Sequence, residues 1–176
     1  MKRLVFFLPL VITIIIFSFL LYYILQNKDI SNPPSALLDE PVPIFNSVNF
    51  FDNDKNITNK IINEKKVLIN FFASWCEPCK IEHNILMQIS NNHKNILLLG
   101  FNFKDKKKEA INFIEKNGNP FDKIGIDNDG KIAMDFGVYG LPETFIVDKN
   151  GKIIFKHVGP ITNKIYNNEI KKLLIK

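Results

Sequence analysis

Cysteine is almost absent from this chain: Cys76 and Cys79 are the only two in 176 residues. With three scattered histidines, His83, His93 and His157, they fall short of a zinc site, which needs about four ligands. A purely structural bridge across a two-residue gap would close a tiny loop and constrain the unfolded chain very little. Arginine is reduced to Arg3 against 22 lysines, beside abundant Asn and Ile, which reads as a codon bias and carries no functional message. The net charge of +5 excludes less than it suggests, because Lys2 and Arg3 account for two of the charges and leave +3 elsewhere. Those lysines are interleaved with Asp, Glu and Asn, so no nucleic-acid surface is expected. The one basic run, Lys104-Asp105-Lys106-Lys107-Lys108, reads as a solvated face at a loop-to-helix entry. Internal repeats and low-complexity blocks are lacking too, and one domain of about 130 residues suffices after the N-terminal segments.

Charge is missing altogether from Leu4 to Leu25, 22 positions preceded by Lys2 and Arg3. At about 1.5 Å per residue such a helix spans the roughly 30 Å hydrocarbon core. Lys28 and Asp29 cancel beyond it, so the positive-inside rule puts the N-terminus in the cytoplasm and the rest of the chain outside. The alternative is a cleaved signal peptide. Its apolar region would be shorter and end at small residues, whereas this one runs into Tyr22-Tyr23-Ile24-Leu25-Gln26-Asn27 without an A-x-A-like site. The expected organisation is an anchor over residues 1–27, a polar, proline-bearing tether over 28–42 and a domain over 43–176.

What the domain does have is Trp75-Cys76-Glu77-Pro78-Cys79. A lone close pair of thiols is set up for reversible exchange, with one sulfur attacking a partner disulfide and the other resolving the mixed disulfide. Val67 to Ala73 before the pair reads as a buried strand. Lys80 to Asn91 after it carries a helical stripe at Ile81, Ile85, Leu86 and Ile89. The cysteines thus sit at a strand-to-helix junction, where first-turn amides and the helix dipole favour a Cys76 thiolate. Pro78 suits a helix start and stiffens the loop. Glu77 opposes the thiolate, so the net effect stays unsigned.

Further along, Ile96–Phe101 reads as a second strand and Glu109–Asn117 as a second helix, which makes a parallel βαβ unit. Gly125–Asp127, a turn at Asn128-Asp129-Gly130 and a short helical piece at Ile132–Phe136 follow. Glu143–Asp148 and Lys152–Val158 flank Lys149-Asn150-Gly151 as an antiparallel hairpin, and an amphipathic segment over Asn163–Ile175 closes the chain. The expected fold class is α/β, a thioredoxin-like mixed sheet flanked by helices and preceded by one transmembrane helix.

The Trp-Cys-x-x-Cys motif after a hydrophobic strand, with Leu141-Pro142-Glu143-Thr144 some way downstream, resembles the thioredoxin superfamily. Finer matches are Asn70-Phe71-Phe72-Ala73-Ser74-Trp75-Cys76, Glu82-His83, Gly118-Asn119-Pro120-Phe121, Gly137-Val138-Tyr139-Gly140-Leu141-Pro142-Glu143-Thr144 and His157-Val158-Gly159-Pro160. Together they resemble the membrane-anchored periplasmic reductases of cytochrome c maturation, the DsbE/CcmG type. The resemblance implies Cys76 as attacking thiol, Cys79 as resolving thiol, and Pro142 as the family's cis-proline shaping a peptide-binding groove. Spacing alone leaves the isomer of Pro142 open. Trp75 would cover the site. Glu82 and Glu143 match acidic positions that tune thiol chemistry or partner recognition, although Glu82 also reads as an ordinary exposed helix residue. Asn70 departs from thioredoxin, which carries an aspartate there, so another group or water must take the resolving thiol's proton. His83 is expected to face solvent, and His157 to be a plain polar position on a late strand.

The function so implied is reduction of a disulfide in apocytochrome c before haem attachment, in the bacterial inner membrane with the domain on the periplasmic side. The partners would be apocytochrome c or its assembly factors and a membrane thiol-electron transporter. No cofactor beyond the Cys76–Cys79 disulfide is implied. A general periplasmic reductase is the alternative within the class. A non-catalytic anchored binding module is the alternative outside it, and the presence of both cysteines argues against that module. A DsbA-like oxidant and a thiol peroxidase match the motifs less well.

Overall fold

The computed structural model describes residues 7–25, 36–62 and 65–175, in two units that divide after Ile30. In the first unit, α1 (Leu8–Leu25) has a mean hydropathy of 2.5 and no buried residue. It is apolar all round and so has no stripe to lay on a protein core. At about 27 Å it is long and apolar enough to cross a membrane. Leu4 to Phe6 of the expected span, and the expected tether as far as Ser35, lie outside the described residues.

The second unit begins where the tether was expected to continue. Asp39 N–H donates to Ile153 O (2.8 Å), Ile153 N–H to Glu40 O (3.0 Å) and Val42 N–H to Gly151 O (2.9 Å), and Val42 is buried. These last residues of the expected tether are therefore paired along a strand of the sheet. Two three-residue strands follow, β1 (Asn46–Val48) and β2 (Asn56–Thr58), then a 3₁₀ turn over Asn59–Ile62. The hairpin escaped the sequence reading because such short, Asn-bearing strands carry almost no alternation. It seals one edge of the main sheet: Ser47 Oγ donates to Ile126 O at 2.9 Å and Phe50 N–H to Ile124 O at 2.8 Å. A Cβ at Gly125 would stand 2.5 Å from Ser47 Oγ, so only glycine allows this approach.

The main sheet contains β3 (Val67–Phe72), β4 (Leu97–Phe103), β5 (Lys123–Asp127), β6 (Glu143–Val147) and β7 (Ile153–Val158) in the order β5-β4-β3-β6-β7. The β3–β4 and β4–β5 pairs are parallel, whereas β3–β6 and β6–β7 are antiparallel. All six β3 residues are buried because both faces are covered. Leu68 and Phe72 point to a core shared with α2 (Glu77–Asn92), α3 (Lys107–Asn117) and the C-terminal helical segment. Val67, Ile69 and Phe71 point to a second core with α4 (Lys131–Asp135) and the 37–62 segment. Period-two alternation therefore puts Asn70 on the α2 side.

The C-terminal segment runs from α5 (Asn163–Ile165) through a π-helical stretch (Tyr166–Ile170) into α6 (Lys171–Ile175). It buries Tyr166, Ile170 and Leu174. The expected stripe on α2 is corrected in one respect. Ile81 is 70% exposed, and the inward face instead carries Cys79, Glu82, His83, Leu86 and Ile89. Two polar residues can occupy that face because each meets hydrogen-bond partners there.

Candidate active site

The chain leaves β3 at Phe72, turns through Ala73-Ser74-Trp75 and enters α2 at Cys76. Cys76 is the helix N-cap, with φ −85° and ψ 107°, and its Sγ accepts the Cys79 N–H at 3.1 Å. An anionic sulfur at this position would gain from that amide and from the helix dipole. Cys76 and Cys79 form a disulfide with Cα atoms 5.3 Å apart, 3% and 2% exposed respectively. Pro78 is the second helical residue, where its missing N–H costs nothing. Glu77 turns outward to an ion pair with Lys80, and this weakens the opposition to a Cys76 thiolate expected from its position.

The turn before Cys76 is held from the end of β4. Asp105 accepts the Ser74 N–H at 2.6 Å and the Ser74 hydroxyl at 2.8 Å, and also the Asn102 side-chain amide at 3.0 Å. The Trp75 indole N–H donates to Lys104 O at 3.2 Å, leaving the ring 56% exposed beside the cysteines. Within the run expected to be a solvated face, Asp105 is thus a structural acceptor. No sequence signal separated it from its lysine neighbours.

Under the disulfide lies a buried polar cluster. Glu82, one helical turn beyond Cys79, is 0% exposed, which overturns its reading as an ordinary exposed helix residue. Its Oε1 accepts the Asn70 side-chain amide at 2.8 Å and its Oε2 accepts the Ile161 N–H at 2.9 Å. The same Asn70 Nδ2 donates to Thr144 Oγ1 at 3.0 Å, while Asn70 Oδ1 has no hydrogen-bond partner among the described residues. Burial pushes the Glu82 carboxyl up to about 7, against the pull of the Ile161 and Asn70 N–H groups. A carboxyl group next to the resolving cysteine is thereby supplied from α2, while Asn70 stands in the strand position where thioredoxin keeps its aspartate.

Pro142 follows a cis Leu141–Pro142 bond, the isomer that spacing alone left open. Leu141 packs against the core that contains both cysteines. Glu143, at the start of β6, is 0% exposed and ion-paired with Lys156 at 2.9 Å. Lys156 was not singled out by the sequence, although its place at the end of the apolar run of β7 was the available signal. His83 is corrected from solvent-facing to buried, with Nε2 3.0 Å from Gly118 O and its ring edge-on to Phe113. Burial lowers its pKa. His157 is likewise buried, stacked on Phe155. Among the described residues no group of three His, Cys, Asp or Glu side chains could hold a metal ion.

The redoxin family matches residues 38–174. The chain is 38% identical over 178 residues to the thiol:disulfide interchange protein DsbE of Escherichia coli K12, covering 98% of this chain and 95% of that one. It is 38% identical over 138 residues to the thiol:disulfide interchange protein CycY of Rhizobium leguminosarum, covering 78% and 74%. The thioredoxin domain of a thiol-disulfide oxidoreductase from Bacteroides vulgatus superposes with a TM-score of 0.68 at 19% identity, over 80% of this chain and 99% of that one, a likeness of fold. With a thioredoxin-like sheet, a Cys-x-x-Cys disulfide at a helix N-cap and these relatives, the chain belongs to the redoxin family and is a thiol-disulfide oxidoreductase of the DsbE type.

Proposed function

We propose that this oxidoreductase is a single-pass protein of the bacterial inner membrane whose periplasmic domain reduces a disulfide in apocytochrome c before haem attachment. Its electrons would come from a membrane thiol-electron transporter. The observation that carries the reading is the alignment of almost the whole chain, α1 included, with a DsbE protein of similar length. The Gly137–Thr144 segment around the cis-proline adds weight, as does the charge step from Lys2 and Arg3 to the uncharged run. An anchor over 1–27 and a tether that ends before Asp39, where pairing with the sheet begins, complete the arrangement.

In this reading the reduced pair acts in two balanced steps. The Cys76 thiolate attacks one sulfur of the substrate disulfide, forming a mixed disulfide and releasing the other sulfur as a thiolate that takes up a proton. Cys79 then loses its proton and attacks Cys76 Sγ. The substrate leaves as a dithiol, and the protein keeps the Cys76–Cys79 disulfide seen here. Glu82, with its carboxyl raised to about 7, is suited to take the Cys79 proton. Trp75 and Pro142 flank the incoming chain, and Glu143 shapes its surroundings.

A Cys79→Ser variant expressed in cells should stop at the mixed disulfide, and the captured partner should carry a Cys-x-x-Cys-His segment, the haem-attachment signature. Capture of a varied set of periplasmic proteins would instead favour the general reductase. Alkylation of the reduced protein should mark Cys76 before Cys79, and the reverse order would exchange their roles.

A further inference from the structure

Lys156 is a buried cation on β7, directly opposite Phe145. Its side chain is 6% exposed and that of its partner Glu143 is 0% exposed. Such a pair rarely outperforms apolar residues of similar volume as a source of stability, so the geometry it imposes is the better account of it. The Lys156 ammonium donates to Gly137 O at 2.8 Å and lies 5.1 Å from the Tyr139 ring centroid. Glu143 Oε1 accepts the backbone N–H groups of Tyr139 and Gly140 at 3.0 and 3.3 Å. These contacts converge on the 137–140 turn. Little else crowds it, since a Cβ at Gly137 or Gly140 would meet nothing within 4 Å. Tyr139 is 67% exposed and lines a cavity of about 550 Å³ together with Lys104, whose carbonyl oxygen holds Trp75.

We propose that Lys156 is a positioning residue for recognition of polypeptide disulfides: with Glu143 it holds the 137–140 turn and presents Tyr139 to a chain approaching past Trp75. The inference rests on thiol-disulfide exchange at Cys76 and Cys79 and is independent of the cytochrome reading. A buried ammonium that braces a surface turn can act on binding without touching sulfur, so its effect should depend on the size of the substrate.

The test uses the reduced full-length chain in detergent with two oxidants, a peptide closed by a Cys-x-x-Cys disulfide and oxidised glutathione. Lys156→Met should lower the ratio of the second-order rate constant for single-turnover oxidation by the peptide to that by glutathione by about tenfold, with the loss in the peptide concentration that half-saturates the rate. Lys156→Arg, which can still pair with Glu143, should keep the ratio within about threefold of wild type. Tyr139→Ala changes an exposed side chain, spares the core and should lower the ratio as Lys156→Met does. If Lys156→Met does not fold, Tyr139→Ala decides. A wild-type ratio in either variant overturns the proposal, including the case in which both rates fall together. Equal loss in Lys156→Arg and Lys156→Met overturns it too. Capture of a non-cytochrome partner in cells would sink the proposed substrate while leaving this ratio as it is.

Discussion

Glu82 and Glu143 are two carboxyl groups with 0% exposure in one domain, and a cation stands beside one of them. Glu82, on α2, meets only neutral N–H donors from Asn70 and Ile161. Glu143, at the start of β6, meets two backbone N–H groups and the ammonium of Lys156. Burial without a cation raises the pKa of Glu82 to about 7 and makes it a group that holds or releases a proton near neutrality. A carboxylate with an ammonium at 2.9 Å is instead a brace, tied to the turn that precedes the cis-proline. The number of hydrogen bonds does not distinguish the two sites; the cation does.

Removing that cation should give the largest effect. Lys156→Met leaves Glu143 buried without a charge partner and is expected to cost about 3–5 kcal/mol, read from urea denaturation. A loss below about 1 kcal/mol would mean that Glu143 is relieved by another group and that the contrast with Glu82 is smaller than the distances suggest.

The next effect is the pH dependence that Glu82 contributes. Its folded pKa of about 7 lies above the ordinary value of 4.5, so the folded state binds more protons than the unfolded state between those two pH values. The stability contributed by the neutral carboxyl is present in full below pH 4.5 and is lost as pH rises through 7, by about 3 kcal/mol. Glu82→Gln should flatten this slope. Its amide can be accommodated because Asn70 Oδ1 has no partner among the described residues and, with the Asn70 amide turned over, could accept from it. The difference between wild type and variant, measured by denaturation at pH 5 and pH 8, isolates Glu82 from the histidines. Equal slopes would make Glu82 a purely structural group.

The smallest effect is expected at the third carboxylate, Glu77. It is exposed and paired only with Lys80, and Glu77→Gln should change stability by less than about 0.5 kcal/mol. A larger change, or a marked rise in Cys76 alkylation rate, would show that this charge reaches the sulfur despite pointing outward.

Much of the fold was legible because its signals are local. The β3 run is apolar throughout, as a strand covered on both faces must be, and the thiols follow at the junction where a helix begins. Lys149-Asn150-Gly151 marked the β6–β7 hairpin, with Gly151 at φ +78°. The β1–β2 hairpin was not legible because its three-residue strands carry almost no alternation, and the pairing of Asp39–Val42 was not because its partners lie more than 100 residues away.

At the site the division is sharper. The sequence by itself determined that this chain performs dithiol chemistry, because two sulfurs two residues apart between a strand and a helix need no long-range information. It also placed Asn70 on the same face as Leu68 and Phe72, because side chains alternate along a strand, while the structure showed that this face meets α2. Only the tertiary structure decided what the acidic and basic residues do. Glu82 and Ile81 are neighbours on one helix, and packing against β3 and Ile161 sends the glutamate inward and the isoleucine out. Glu143 and Lys156 are on adjacent strands, joined across the β6–β7 pair, and Asp105 reaches back to Ser74 from a run of lysines. Charge state and role depend on desolvation and on partners distant in sequence, and the fold sets both.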